Sequence, residues 1–172
     1  SAFGFYYQDD IDAFASAGAK LISIDSLNDT RLPEIDGLFI GGGFPETHMQ
    51  ALSENTTLLN AVQSAITQGL PTYAECGGLM YLARTLEWNN KLFQMAGVIP
   101  GDIKMHVKPQ GRGYVRLLVN ASHPWYISEI DHLSAKNPDQ PDQEVTTLSA
   151  HEFHYSSLEN IDPSVKFAYQ VK

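Results

Sequence analysis

The sequence has 172 residues, of which 43% are hydrophobic, so it is the size of one globular domain and can bury a substantial core. Its 11 Lys and Arg against 20 Asp and Glu give a formal charge of −9, which argues against a nucleic-acid partner because phosphate binding requires a basic surface. No apolar run reaches the ~18 residues of a membrane-spanning helix, and the start does not resemble a signal peptide. We therefore expect a cytoplasmic protein with no membrane partner.

The first half of the chain alternates short apolar runs with helical patterns. Glycines follow the strand-like runs, above all in GLFIGGG, as is typical of βα turns. We predict a helix at 11–18, strands at 21–25 and 37–43, a helix within 44–67, a strand at 71–76 and a helix at 77–86, whereas the opening ten residues show no strand alternation. This order is typical of an α/β fold with a parallel sheet covered on both faces.

The second half is richer in strands. We predict strands within 92–105, at 113–120 and at 166–172, and a polar, proline-bearing surface loop at 134–144. Both ends look cut, because no apolar first strand precedes residue 1 and no closing helix follows the last strand. We therefore interpret residues 1–172 as one domain that is truncated at both ends.

The single cysteine, Cys76, lies where the predicted strand at 71–76 meets the next helix. One cysteine excludes an internal disulfide and a cysteine-based zinc site. In YAECGGLMYL the two glycines leave room for a strained turn, so the pattern is typical of a nucleophile elbow, which holds one side chain out above the sheet. A helix N-terminus beside the sulfur favours the thiolate. The alternative is a buried, unreactive cysteine at the end of a strand.

A second glycine-rich turn, GGGFPE at 41–46, follows another predicted strand. If this turn lies near Cys76, its backbone N–H groups can form an oxyanion hole together with the N–H of Gly77. By itself the motif is more typical of an ordinary βα turn. A phosphate loop is not expected, because no Gly-Lys-Ser/Thr follows.

The segment HEFHYS at 151–156 supplies candidate bases for a cysteine nucleophile, because imidazole exchanges protons near neutral pH. A separation of three residues on an extended segment places His151 and His154 on opposite faces, so only one of them can serve Cys76. We expect no metal site, since no third ligand is evident. The remaining histidines are expected at the surface: His48, His106, His123 and His132.

Taken together, GLFIGGGFPETH, YAECGGLMYL, GRGYVRL and HEFHYS resemble, in the same order and over nearly the whole chain, the glutaminase domain of the cobyrinic acid a,c-diamide synthase family. That family belongs to the class I, triad-type glutamine amidotransferases. The resemblance therefore implies a flavodoxin-like three-layer α/β sandwich with a mainly parallel central sheet. It also implies that the chain binds L-glutamine and releases ammonia from it.

The resemblance implies roles for individual residues. Cys76 would attack the side-chain amide of glutamine, and His154, which is matched through EFHYS, would act as the base. Backbone N–H groups at the glycine turns would bind the oxyanion and the substrate, at Gly42, Gly43 and Gly77.

One position departs from the usual pattern of the triad enzymes. Those enzymes carry a Glu two residues beyond the histidine, but Ser156 stands there in this sequence, which leaves a Cys–His dyad. This departure is also a feature of the cobyrinate branch. The sequence leaves open what orients His154; the candidates are Glu152, Glu75 or a carboxylate from another domain.

The resemblance also implies partners. The ammonia would pass to an N-terminal synthetase domain that activates a carboxylate of a tetrapyrrole with ATP and Mg²⁺, as in cobalamin biosynthesis. No P-loop occurs in this sequence, so that domain is absent from it, and no cofactor is expected in the glutaminase domain itself.

Alternatives to this interpretation remain open. Sirohaem or a nickel sirohydrochlorin is an alternative acceptor, and KPQGRGYVRL and the HPW at 123–125 lean toward the sirohaem-type branch. A different hydrolase with a cysteine elbow shares the sheet and the turn, but the HEFHYS segment fits it poorly. A domain that keeps the fold only for interaction or regulation is the alternative of another class, and the presence of both Cys76 and His154 argues against it.

Overall fold

A computed structural model describes residues 2–125, 134–137 and 140–172, and its helices and strands make the chain an α/β protein. The helices are α1 (Gln8–Ser16), α2 (Met49–Glu54), α3 (Thr56–Thr67) and α4 (Gly77–Leu82), with a 3₁₀ turn at Pro45–Thr47. The strands are β1 (Phe3–Phe5), β2 (Leu38–Ile40), β3 (Gly42–Gly43), β4 (Thr72–Ala74), β5 (Ala83–Trp88), β6 (Lys91–Gln94), β7 (Ile99–Met105), β8 (Gly111–Val119), β9 (Ser134–Asn137), β10 (Gln140–His154), β11 (Ser156–Glu159) and β12 (Tyr169–Val171). Within the described residues, no helix combines the length and the apolar character needed to cross a membrane.

The chain folds into two compact units. The first unit comprises Ser1–His106 and Ser156–Asp162, and it contains α1 to α4. The second comprises Val107–Tyr155 and Pro163–Lys172, and its described elements are the strands β8, β9, β10 and β12. The main hydrophobic core lies in the first unit, where the most completely buried side chains come from helices and strands far apart in the sequence: Leu52, Leu58, Leu86 and Ile103.

Helix α3 illustrates how the sequence builds this core. The side chain of Asn55 caps the helix by accepting a hydrogen bond from the backbone N–H of Leu58 at 3.4 Å. Leu58, Leu59 and Val62 follow the helical repeat and are buried. Gly69, at φ +104°, ends the helix with a backbone conformation that other residues rarely adopt. The helix predicted within 44–67 is therefore confirmed.

Strands β2 and β4 form a parallel pair that brings two glycine turns to the same end. Leu38 lies opposite Thr72, and Ile40 lies opposite Ala74. Helices α2 and α3 occur between the two strands, as parallel pairing requires a crossover connection. The carboxyl ends of both strands therefore meet, and the N–H of Glu75 donates to the carbonyl of Ile40 at 3.1 Å.

A second sheet of the first unit has the strand order β11-β7-β5-β6. An ion pair holds β5 to β7: the guanidinium of Arg84 donates to both carboxylate oxygens of Asp102, at 2.8 and 2.6 Å. Thr85 and Asn160 also donate to this carboxylate, at 2.8 and 3.1 Å. The Arg84 hydrogen bonds, with those from Thr85 and Asn160, hold the pKa of Asp102 well below its usual value, against the opposing effect of partial burial.

The second unit is an antiparallel sheet with the strand order β12-β8-β10-β9. The long strand β10 pairs with β8 from Thr147 opposite Leu118 to His154 opposite Gly111. This pairing continues without a bulge, so the residues of HEFHYS that belong to β10 have a fixed register against the GRG of β8. Leu118 is the buried apolar residue of this sheet among the residues described.

Two predictions for the start of the chain are wrong. The opening residues do form a strand, because β1 pairs with β3 and Phe3 packs edge-to-face on Tyr81, with 5.3 Å between ring centroids. The run LISID at 21–25 is not a strand, and Leu21 and Ile22 are about half exposed. The side chain of Asp25 instead accepts a hydrogen bond from the N–H of Leu27 at 3.0 Å, which stabilises a turn. Such local side-chain hydrogen bonds compete with the backbone pairing of a strand.

The helix predicted at 77–86 is correct only to Leu82. Strand β5 begins at Ala83, and Leu86 lies opposite Ile103 of β7 with both side chains buried. Contacts across the sheet decide the conformation here, because the same apolar spacing suits a short helix or a buried strand.

The surface loop predicted at 134–144 is also wrong in the described residues. Strand β9 and the start of β10 occupy most of this segment and pair antiparallel. Residues 138–139 of the predicted loop lie outside the residues described. Polar composition alone indicated a loop, but backbone pairing does not depend on apolar side chains.

The single, mainly parallel central sheet is not confirmed. Among the described strands, β2–β4 and β5–β7 pair in parallel, and the other pairs are antiparallel. The chain between β5 and β6 turns within Asn89 and Asn90, both at positive φ, which makes a hairpin. A connection this short can only join antiparallel strands. The parallel pairing predicted from the helix-rich first half therefore does not extend to the strands that follow.

Candidate functional site

Cys76 stands at the junction between β4 and α4. Its backbone has φ +49° and ψ −112°, a conformation that is uncommon for a residue with a side chain and costs of the order of 1–3 kcal/mol. The helix begins at once, since the N–H of Met80 donates to the carbonyl of Cys76 at 3.2 Å. The cysteine is exposed, which rules out the alternative of a buried thiol that serves only as a small apolar side chain.

The glycine turn at 41–43 lies directly against this corner. A Cβ added to Gly77 would lie 2.9 Å from the nitrogen of Gly43 and 3.0 Å from Cδ of Pro45. A Cβ added to Gly42 would lie 3.7 Å from the Cβ of Cys76. At Gly77 the two turns approach each other more closely than a side chain allows, which explains the glycine there, whereas the distance at Gly42 is an ordinary van der Waals contact.

The backbone N–H groups of the two glycines after Cys76 differ in their partners. The N–H of Gly78 donates to the carbonyl of Glu75 at 2.8 Å. The N–H of Gly77, the first residue of α4, has no acceptor within its own helix because intrahelical bonds begin several residues later. Adjacent backbones at Gly43 and Gly77 are an arrangement that can receive a developing negative charge. Their role as an oxyanion site stays a prediction.

The side chain of Glu75 is engaged with its own strand. The hydroxyl of Tyr73 donates to Oε2 of Glu75 at 3.2 Å. The ring of Tyr73 in turn stacks on Phe39, with 5.5 Å between centroids and 16° between planes. The aromatic pair therefore gives this carboxylate a fixed position on the first unit.

In the second unit, the side chains of His154 and Glu152 are in contact. Nε2 of His154 lies 3.3 Å from Oε2 of Glu152, and each side chain is 38% exposed. The two residues are two positions apart on β10, so their side chains leave the same face of the sheet. Glu152 was one of three candidates for orienting His154, and it is the one in contact with this ring on the second unit.

Sequence reasoning missed a residue that borders this pair. Gly111 of β8 lies opposite His154, and Gly113 lies opposite Glu152. A Cβ on Gly111 would collide with the imidazole of His154 and would lie 2.8 Å from Cδ of Glu152. The signal that could have found Gly111 is the GRG of GRGYVRL, a glycine pair at strand spacing.

The other histidines have separate surroundings. His151 contacts Tyr114, with 5.5 Å between ring centroids, rather than Glu152, as expected from its odd spacing to His154. Among the described histidines predicted at the surface, His48, His106 and His123 are half-buried, and His132 lies outside the described residues. The described part of the chain contains no group of three or more His, Cys, Asp or Glu side chains that could hold a metal ion.

The comparisons with known proteins agree with one another. The family model of the CobB/CobQ-like glutamine amidotransferase domain matches residues 1–172. A cobyrinate a,c-diamide synthase of Magnetococcus marinus is 41% identical over 170 residues, which cover 99% of this chain and 33% of that protein. The proteins of the same name from Caldanaerobacter subterraneus and Archaeoglobus fulgidus are each 38% identical over 170 residues, covering 96% and 99% of this chain and 34% and 33% of those proteins. The chain thus spans about a third of the length of these curated relatives.

Proposed function

The chain belongs to the CobB/CobQ-like glutamine amidotransferase family, an enzyme family, and from that premise we propose that it hydrolyses L-glutamine through Cys76 and His154. The reaction converts glutamine and water to glutamate and ammonia. The observation that carries this proposal is the exposed cysteine held at positive φ on a strand-to-helix corner, with the backbones of Gly43 and Gly77 beside it. A side chain in this position is accessible to a substrate.

The proposed chemistry proceeds in two halves. The Cys76 thiolate attacks the side-chain carbonyl carbon of glutamine and forms a carbon–sulfur bond, while His154 holds the proton taken from the thiol. When the carbon–nitrogen bond breaks, that proton leaves with the departing ammonia, and a glutamyl thioester remains on Cys76. Water then attacks the thioester with His154 as base, which releases glutamate and returns the thiol.

We assign the negative charge of each tetrahedral intermediate to the glycine turns. The carbonyl oxygen becomes an oxyanion when the sulfur or the water attacks, and N–H groups of Gly43 and Gly77 would donate to it, with Gly42 beside the bound substrate. The contact between the Gly43 and Gly77 backbones supports this assignment. Fixed backbone donors of this kind need no reorganisation when the charge develops, so they lower the barrier rather than merely bind the substrate.

The whole protein is proposed to use the ammonia in an amidation. The relatives that span the chain are named cobyrinate a,c-diamide synthase, which supports cobyrinate, a tetrapyrrole carboxylate, as the acceptor in cobalamin biosynthesis. About two thirds of each relative lies outside the match, which supports a separate domain, and we propose that it is an N-terminal synthetase domain that uses ATP and Mg²⁺. We propose no cofactor for glutamine hydrolysis itself. A cytoplasmic location is proposed because a catalytic thiol stays reduced there.

We also propose the finer fold class that the family resemblance implies. This is a flavodoxin-like three-layer sandwich whose central sheet is mainly parallel. The parallel pair β2–β4, with α2 and α3 between its strands in sequence, is the observation that supports it.

The test uses the full-length protein that carries this chain. We expect the glutamine analogue diazo-oxo-norleucine to label Cys76 in the wild type, located by peptide mass spectrometry. Cys76→Ala should abolish glutamine-dependent synthesis, a fall of at least about 10³-fold, because the nucleophile is lost. Synthesis from added ammonia should remain, because that site does not need the thiol. Equal loss of both activities, or labelling at another cysteine, would refute the proposal.

A further inference from the structure

We propose that Glu152 is a positioning residue that orients the imidazole of His154, and that Gly111 keeps open the space in which the two side chains meet. This inference rests on the proposed role of His154 as the base. It concerns the second unit alone, where all three residues lie. Triad enzymes carry the orienting carboxylate two residues after the histidine. In this chain the carboxylate of Glu152, two residues before His154, would take that role.

The first support is the geometry of β10. Residues two apart on a strand share one face, so Glu152 reaches His154 without any change in backbone conformation. The distance from Oε2 of Glu152 to Nε2 of His154 is 3.3 Å. By contrast, Ser156 belongs to β11, which pairs with β7 in the first unit. A carboxylate at −2 on the same strand is therefore placed to orient the ring, whereas position 156 carries a serine on a strand of the first unit.

The second support is the register of β8 against β10. His154 and Glu152 face Gly111 and Gly113, so the strand opposite the pair carries no side chain at either position. Gly111 is buried, and a Cβ there would occupy the volume of the imidazole and the carboxylate. An alanine at position 111 would force the ends of both side chains to shift from their present positions. The pair thus explains the first glycine of GRGYVRL, Gly111; a Cβ on Gly113 would meet nothing within 4 Å, so Gly113 follows from its φ of +139° and not from the pair.

The third support is the chemistry of the imidazole. A carboxylate can only accept, so the ring nitrogen that faces Glu152 carries the proton. In the neutral ring, Nδ1 is then the basic nitrogen. Glu152 therefore selects one tautomer as well as one orientation, and a base that must take a proton repeatedly benefits from both.

The decisive variant is Glu152→Gln, which keeps the shape of the side chain and removes its charge. In the full-length protein we expect kcat for glutamine hydrolysis to fall about 10- to 100-fold, while KM for glutamine changes less than about threefold. The loss is smaller than for a fully buried carboxylate because water can reach both side chains. Synthesis from added ammonia should be unchanged. A kcat within about twofold of the wild type would overturn the proposal, as would a larger loss in Glu75→Gln.

Gly111→Ala tests whether the missing side chain at position 111 leaves the space that the pair needs, and Arg112→Ala is its matched control. Arg112 is the next residue of the same strand, lies opposite Phe153 and is exposed. We expect Gly111→Ala to lower kcat by a factor similar to that of Glu152→Gln, and Arg112→Ala to stay within about twofold of the wild type. Because both changes act on one pair, the double variant Gly111→Ala/Glu152→Gln should lose no more than the larger single loss. A multiplicative loss would contradict a shared mechanism.

A spectroscopic signature separates positioning from a general loss of structure. In the wild type, the ¹⁵N shifts of His154 should report a proton on Nε2 in the neutral ring, and Glu152→Gln should mix the two tautomers. The comparison of wild type and Glu152→Gln by ¹⁵N shifts does not require Gly111→Ala, so it tests the proposal even if that variant does not fold. The outcomes distinguish the two proposals. Glutamine hydrolysis that survives Cys76→Ala refutes the proposed function, whereas inactive Cys76 and His154 variants beside a fully active Glu152→Gln refute only this inference.

Discussion

At the residue scale, the proposed chemistry depends on a thiol presented in an uncommon backbone conformation. Cys76 has φ +49°, and the neighbouring Gly78 packs so tightly that a Cβ there would meet the carbonyl group of Ile40. The hydrogen bond from Glu75 to that same Ile40 carbonyl fixes the other side of the corner. Strain of this kind persists only where the surroundings determine it, so the packing around the corner holds the backbone of Cys76 in this conformation.

His154 and His151 can be told apart by paired substitutions. We expect His154→Ala to reduce glutamine-dependent synthesis by about 10²-fold or more, because the base proposed to activate Cys76 would be lost. His151→Ala should have a smaller effect, because its ring contacts Tyr114 on the opposite face of the strand. Steady-state rates with glutamine and with ammonia check this. If His151→Ala costs more, we have chosen the wrong histidine.

At the scale of single elements, the residue that caps helix α3 also binds a turn that lies far away in the sequence. Asn55 accepts from the N–H of Leu58, and its amide donates to the carbonyls of Ser26 and Asp29 at 3.1 and 2.8 Å. The capping residue thereby holds the turn at 26–29 against the start of the helix.

We expect Asn55→Ala to destabilise the start of α3 by about 1–2 kcal/mol, because a cap and two further hydrogen bonds are lost together. Hydrogen exchange of the α3 amides should therefore become about 5- to 30-fold faster. The matched control is Asn60→Ala, an exposed asparagine within the same helix, which should leave exchange unchanged or slow it slightly. Equal protection in the two variants would show that Asn55 does not cap the helix.

At the scale of the whole molecule, residues far apart in the sequence hold the first unit together. Arg84 donates to Asp102 and to the carbonyl of Asn160, the latter at 3.3 Å, so the residue that follows β11 is fastened to β5 and β7. The chain leaves this unit after His106 and returns at Ser156, so the contacts at Asn160 secure the returning segment.

The Asp102 carboxylate makes the stability of this unit depend on pH. Its pKa is lowered in the folded state, chiefly by Arg84, so its contribution is present above the unfolded pKa of about 4 and is lost as the pH falls through the folded value. At pH 7 we expect Asp102→Asn to lower the free energy of unfolding by about 1 kcal/mol, a modest figure because both partners are partly exposed. Below about pH 4 the difference from the wild type should shrink.

Urea unfolding of the wild type and variant at pH 7 and below pH 4 measures this difference. Asp36→Asn is the control, because Asp36 is exposed and changes little on substitution. A difference between wild type and Asp102→Asn that grows as the pH falls would contradict the assigned direction of the pKa.

The sequence by itself determined what short-range patterns encode. Helical repeats located α1 and α3, apolar runs located β2, β4, β6, β7, β8 and β12, and the strand–Cys–Gly–Gly–helix order located the Cys76 corner. These features depend on neighbours within a few residues, so composition and spacing suffice to predict them. The family resemblance added the fold class, of which the α/β character is established and the mainly parallel sheet is not.

The tertiary structure decided everything that depends on partners distant in the chain. Strand β1 exists because it pairs with β3, and β5 replaces the end of a predicted helix because Leu86 packs against Ile103. The sequence named Glu152 only as one of several carboxylates that could orient His154, and the structure shows the two side chains in contact. The register of β10 against β8 places Gly111 opposite His154, where its missing side chain leaves room for the pair. Strand pairing is a non-local choice among many competing partners, so no window of sequence contains the information that selects it.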